Sequence, residues 1–119
     1  MKEIVITEEC LDFIEYQDKR VVTKFFQLID IMTQEKVVHS NFVKKLHSTK
    51  FYELRIKAGN EYRVIMFAID ELSFAECKEV ICLYGFKKKS TKDYKKAIAS
   101  SERILNDYLQ NKANHGTSI

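Results

Sequence analysis

The sequence predicts an α+β fold, an antiparallel β-sheet with an N-terminal helical hairpin packed on one face and a C-terminal helix. The order is β-α-α-β-β-β-α. Three features predict it. An apolar stripe at helical spacing runs through Val22, Phe25, Phe26, Ile29 and Met32. Three segments rich in strand-forming residues follow between Phe51 and Phe86. A second amphipathic stretch then starts near Tyr94. A chain of 119 residues holds one domain of this kind, expected over 1–112, with a flexible polar tail over 113–119.

Glu3 to Ile6 is short and β-branched, which predicts a first strand. Thr7 is a helix N-cap, and Glu8 and Glu9 suit the first turn after it. That helix presents Leu11, Ile14 and Tyr16 to a core, and polar Gln17 to Arg20 breaks it. The stripe above predicts a second helix from Val21 to Lys36, antiparallel to the first. Val37 to Thr49 has no clean period and reads as a connection. In Phe51 to Lys57, Tyr52, Leu54 and Ile56 share one face and Glu53, Arg55 and Lys57 the other. Ala58-Gly59-Asn60 is a turn. Glu61 to Ile69 is apolar on both faces over much of its length, as a central strand is. After a longer turn, Glu79 to Phe86 completes an antiparallel meander. Ser90 with Asp93 is a capping signal for the last helix, which carries Tyr94, Ala97, Ile98, Ser101, Leu105, Tyr108 and Leu109 on one side.

Composition narrows the function. No apolar run is long enough for a membrane helix. The N-terminus lacks the apolar core of a signal peptide, so a cytoplasmic protein is expected. Cys10, Cys77 and Cys82 are too few and wrongly spaced for a disulfide framework or a zinc site, and His39, His47 and His115 form no cluster with them. No metal or cofactor is expected. Thirteen Lys and Arg against seven Asp and Glu lie between Lys44 and Lys96, a local charge of +6. The remainder, with seven basic and ten acidic residues, carries −3. Positive charge concentrated on the strands is either a polyanion footprint or a solvated lysine-rich surface.

The meander brings Glu53, Arg55, Lys57, Arg63, the Lys87-Lys88-Lys89 run and Tyr94 toward one sheet face, away from the helical hairpin. Guanidinium groups grip phosphate oxygens bidentately. Crowded lysines depress one another's pKa and so serve proton transfer near neutrality. A tyrosine stacks on a base. Metal-free RNA cleavage fits such a face because the 2′-hydroxyl is the nucleophile. Arg55 and Arg63 have a second reading, pairing with Glu53 or Glu61. The lysine run alone also reads as solvated surface, and Tyr94 as core.

The segments FYELRIKAGNEYRVIMF and LYGFKKKSTKDY, and above all the combination Y-E-L-R, Y-R-V and GF-x-K-K, carry a resemblance. The chain resembles the RelE/ParE superfamily of bacterial toxins over Met1 to Leu109, most closely its HigB-like, phage Gp49-like branch. The resemblance implies the toxin of a type II toxin-antitoxin system: a ribosome-dependent endoribonuclease that cuts mRNA by 2′-hydroxyl attack on the adjacent phosphate. It implies a cognate antitoxin, with a helix-turn-helix domain, and the ribosome and mRNA as partners; the free chain is a monomer or a homodimer. Carried over by position, Arg55 and Arg63 grip and polarise the phosphate. Lys88, or Lys87 beside it, is the general acid, and Tyr94 stacks on the base. Lys57, Lys87, Lys89 and Lys92 add RNA-binding charge. Glu53 stands where RelE has a strand lysine, as a general base or as a tether for Arg55. No proline precedes the last helix, so Ser90 to Asp93 must cap it. Two alternatives stay open: a ParE-like inhibitor of DNA gyrase that cuts no RNA, and a degenerate toxin that only binds.

Overall fold

The computed structural model of the protein describes residues 2–34, 41–70 and 73–117, with side chains through residue 111. The elements are β1 (Glu3–Ile6), α1 (Glu8–Tyr16), α2 (Lys19–Gln34), β2 (Val43–Lys45), β3 (Tyr52–Ala58), β4 (Asn60–Ala68), β5 (Glu79–Lys87) and α3 (Asp93–Thr117). They form an α+β fold around one five-stranded sheet in the order β1-β5-β4-β3-β2. β2 to β5 pair antiparallel, as a meander requires. β1 adds to the free edge of β5 in parallel, with Glu3 opposite Glu79 and Ile6 opposite Cys82, so the sheet is mixed. β2 lies inside the stretch expected to be a connection. Three residues are too few to show a period, and only the seating of buried Val43 opposite Leu54 makes them a strand.

Local chemistry sets the boundaries. Thr7 Oγ1 accepts the Cys10 N–H at 3.3 Å and caps α1. Asp18 Oδ1 accepts from the N–H groups of Arg20 at 2.9 Å and Val21 at 3.3 Å, so α2 starts at Lys19. Gly59 sits at φ +81° between β3 and β4, a left-handed turn that glycine accepts without strain. α3 continues through Thr117, and no Pro or Gly occurs between Asp93 and His115 to stop it. Lys36, the expected end of α2, lies outside the described residues, and so do residues 118–119 of the expected tail.

Each face of the sheet has its own core. Cys10 and Ile14 of α1 and Val21, Phe25, Leu28 and Met32 of α2 pack on Leu54, Ile56, Val64, Met66, Val80 and Cys82. Ala97, Ile104 and Leu105 of α3 pack on Ile65, Ile81 and Leu83 of the opposite face. The buried stripe of α2 is turned from the expected one. Phe26 is 42% exposed, and Val21 and Leu28 are buried instead. Both sets fit a 3.6-residue period, so only the seating of the helix on β3 chooses between them. Tyr16, expected in the core, is 88% exposed because α1 ends there and the chain turns away.

A bulge in β5 aims the next segment. Pairing steps from Ile65–Tyr84 to Met66–Cys82, leaving Leu83 as the extra residue. The Leu83 carbonyl is satisfied by the Thr7 hydroxyl at 3.0 Å. Beyond the bulge Gly85 turns toward α1. A Cβ there would stand 2.5 Å from the Phe13 ring, so only glycine fits. Phe86 then falls on the α3 face, opposite Arg63.

Candidate functional site

The polar residues of β3 and β4 gather at the end of the α3 face nearest the start of α3. Register places Arg55 directly opposite Arg63, a like-charge pair that repels unless something neutralises it. Glu53 does so. Its Oε1 accepts from Arg55 Nε at 2.7 Å and from the Tyr94 hydroxyl at 3.1 Å, and lies 3.2 Å from Arg63 Nε. Arg63 Nε also donates to Tyr94 Oη at 3.2 Å. Its Nη1 donates to the Tyr62 carbonyl at 3.1 Å and its Nη2 to Glu61 Oε1 at 2.9 Å.

Burial divides the cluster in two. The Glu53 and Arg63 side chains are each 3% exposed, whereas that of Arg55 is 36% exposed. Arg63 is thus an internal tie with all three guanidinium nitrogens engaged. In this conformation the pairing reading describes it, and no nitrogen faces outward for a phosphate. Arg55 is tethered through Nε and turns its remaining nitrogens outward. Glu53 is in the tether arrangement.

The charges support one another. Burial works against the charge of Arg63, but the bonds to Glu61 and Tyr94 and the charge of Glu53 outweigh it, and its pKa is raised. Burial raises the Tyr94 pKa, against a lowering by the Arg63 bond, so the phenol stays protonated and donates to Glu53. The bond from Arg63 holds the Glu61 carboxyl below its usual range, with Lys57 and Lys88 adding to the effect.

The lysines divide similarly. Lys57 stands opposite Glu61 across the hairpin. Lys88 Nζ lies 5.8 Å from the centre of the Tyr94 ring. Its backbone N–H donates to the Glu61 carbonyl at 2.8 Å. Lys87 pairs in register with Tyr62, on the face of α1, and is exposed. Lys89 and Lys92 are exposed near the start of α3 and add charge at the rim. Asp93 Oδ2 accepts from the N–H groups of Lys89 at 2.7 Å and Ser90 at 2.9 Å. Those bonds lower the Asp93 pKa. This carboxylate cap replaces a proline and fixes Tyr94 one residue later. The Phe86 ring meets Tyr94 edge-on at 5.4 Å and 83°. Sequence reasoning did not single out Phe86. The signal was its register opposite Arg63, which depends on the bulge.

Residues 12–106 match the family described as phage derived protein Gp49-like (DUF891). The chain belongs to that family, which is part of the RelE/HigB toxin-like group. No curated protein and no solved structure matches the chain. Among the described residues no helix is long and apolar enough to cross a membrane.

Proposed function

We propose that this protein is the toxin of a type II toxin-antitoxin pair and that it cleaves mRNA on the ribosome. The observation that carries this reading is Arg55: a part-exposed guanidinium oriented by a buried carboxylate, on the same strand face as Lys57. A pre-oriented cation of this kind stabilises the charge that builds on phosphate oxygens in the transition state. The 2′-oxygen attacks phosphorus in line. The O2′–P bond forms as the P–O5′ bond breaks, giving a 2′,3′-cyclic phosphate. The 2′-hydroxyl proton leaves to solvent, and Lys88 supplies one to the departing O5′. Glu53, Arg63 and Tyr94 are positioning residues that hold Arg55 and the ring beneath Lys88. The partners of this reading are a helix-turn-helix antitoxin, the ribosome and its mRNA, in the cytoplasm.

Primer extension on a reporter mRNA tests it, after induction with translation running or blocked. The expected result is cuts within codons that vanish when translation is blocked. Arg55→Ala, folded by circular dichroism, is expected to lower cutting by about 10²–10³. Growth arrest with uncut mRNA overturns the nuclease reading in favour of gyrase inhibition. Absence of arrest overturns the toxin reading altogether.

A further inference from the structure

A second cationic feature lies around the edge of β3 and reaches onto α2, a helix that carries none of the residues expected to bind RNA. The first turns of α2 and the β3–β4 hairpin enclose a cleft of about 470 Å³, lined by Lys19, Arg20, Thr23, Lys24, Gln27 and Lys57. A neighbouring cleft of about 280 Å³ shares Lys24 and Lys57 and adds Arg55. The two clefts adjoin at Lys24 and Lys57, and together they form a grooved surface whose second part borders the outward half of the cluster. Its cations run Lys19, Arg20, Lys24, Lys57, Arg55.

These charges are poorly neutralised in the free protein. Among the described residues, Lys19 and Lys24 have no carboxylate within 4.0 Å. Arg20 has Asp18 at 3.6 Å, with both side chains more than half exposed, a pairing worth little. Arg20 and Lys24 stand four residues apart on one helix, a spacing at which like charges repel. An anionic ligand relieves that repulsion. Thr23 and Gln27 add neutral hydrogen-bonding groups to the same wall.

We propose that this groove binds the sugar-phosphate backbone of single-stranded RNA and extends the cleavage site around the β3 edge onto α2. The inference rests on the nuclease reading for its direction, since the groove leads to Arg55. An acidic protein segment is the competing ligand. The cations stand on lysine and arginine stems along an open surface that also carries Ala58, Leu28 and Phe42, and a row of such charges suits a phosphate backbone.

Fluorescence anisotropy with a short labelled RNA, 2′-O-methylated at every ribose, isolates binding from cleavage. The full-length chain is compared with Lys19→Gln/Lys24→Gln and with Lys78→Gln, a change at an exposed lysine outside the groove. The double variant is expected to bind about 10-fold more weakly. The slope of log K against log salt should fall by about 1.4, roughly 0.7 for each phosphate no longer neutralised. The Lys78 variant should match the parent. Unchanged slope and affinity in the folded double variant overturn the proposal. So does a parent chain that fails to bind this RNA, or a double variant that loses only its binding to poly-glutamate. Missing mRNA cuts with the groove-dependent binding intact overturn the nuclease reading and leave the groove standing.

Discussion

On the α1–α2 face, β3, β4 and β5 contribute Leu54, Ile56, Val64, Met66, Val80 and Cys82, all buried. On the α3 face the same strands contribute Ile65, Ile81 and Leu83, but also Glu53, Arg55 and Arg63. Two helices cover the first face; the second has one, packed on β5 and β4. The β3 end of the second face is therefore half dry and half wet. On a sealed face an apolar side chain needs only a fitting volume. At a half-covered edge each buried charge needs its partners, and the groups beyond it stay available to a ligand.

Breaking the buried half of the cluster should have the largest effect. Arg63→Ala leaves Glu53 buried with one cation fewer and is expected to cost about 3–5 kcal/mol in urea unfolding. A loss below about 1 kcal/mol would show that the tie is not structural. Leu54→Ala on the sealed face should cost about 2–5 kcal/mol. Unlike Arg63→Ala, it should leave mRNA cutting per folded molecule unchanged, a contrast that primer extension at low temperature reads directly.

Tyr94→Phe keeps the ring against Phe86 but removes the donor to Glu53 and the acceptor for Arg63. The expected cost is about 1–3 kcal/mol, with a smaller loss of cutting than in Arg55→Ala. Retention of full stability would mean that the hydroxyl is replaced by solvent and that the cluster is wetter than its burial indicates.

The smallest effect is at the α3 cap. Asp93 in the folded protein titrates below its ordinary 3.8 because two backbone N–H groups bond its carboxylate. A lowered folded pKa means stability that is fully present above the ordinary value and is lost as pH falls through the folded one. Asp93→Asn should remove that acid-side loss. Unfolding curves recorded between neutral pH and the acid limb check it, and identical pH profiles for the two proteins would dismiss the cap.

Much of the fold was legible because its elements obey a local period. The alternation in Tyr52 to Lys57 places Leu54 and Ile56 on one side and Glu53 and Arg55 on the other, and the structure keeps that division. Thr7 and the Ala58-Gly59-Asn60 turn act through neighbouring backbone, so their roles were readable too. The phase of α2 and the strand at Val43 were not. Each depends on what packs against it from elsewhere in the chain. Within the site, the set Glu53, Arg55, Arg63 and Tyr94 was legible, but the division of labour was not. Arg55 and Arg63 look equivalent in the sequence and differ twelvefold in side-chain exposure, 36% against 3%.

By itself, then, the sequence determined which residues can share a strand face, where helices begin, and that positive charge crowds the meander. These follow from bond geometry and from neighbours a few residues apart. Tertiary structure decided which arginine is buried, that the β5 bulge turns Phe86 toward Tyr94, and that α2 brings Lys19, Arg20 and Lys24 to Lys57. The physical reason is the range of the forces. Burial and summed charge depend on everything that packs nearby, and those neighbours are set by the sheet register rather than by position along the chain.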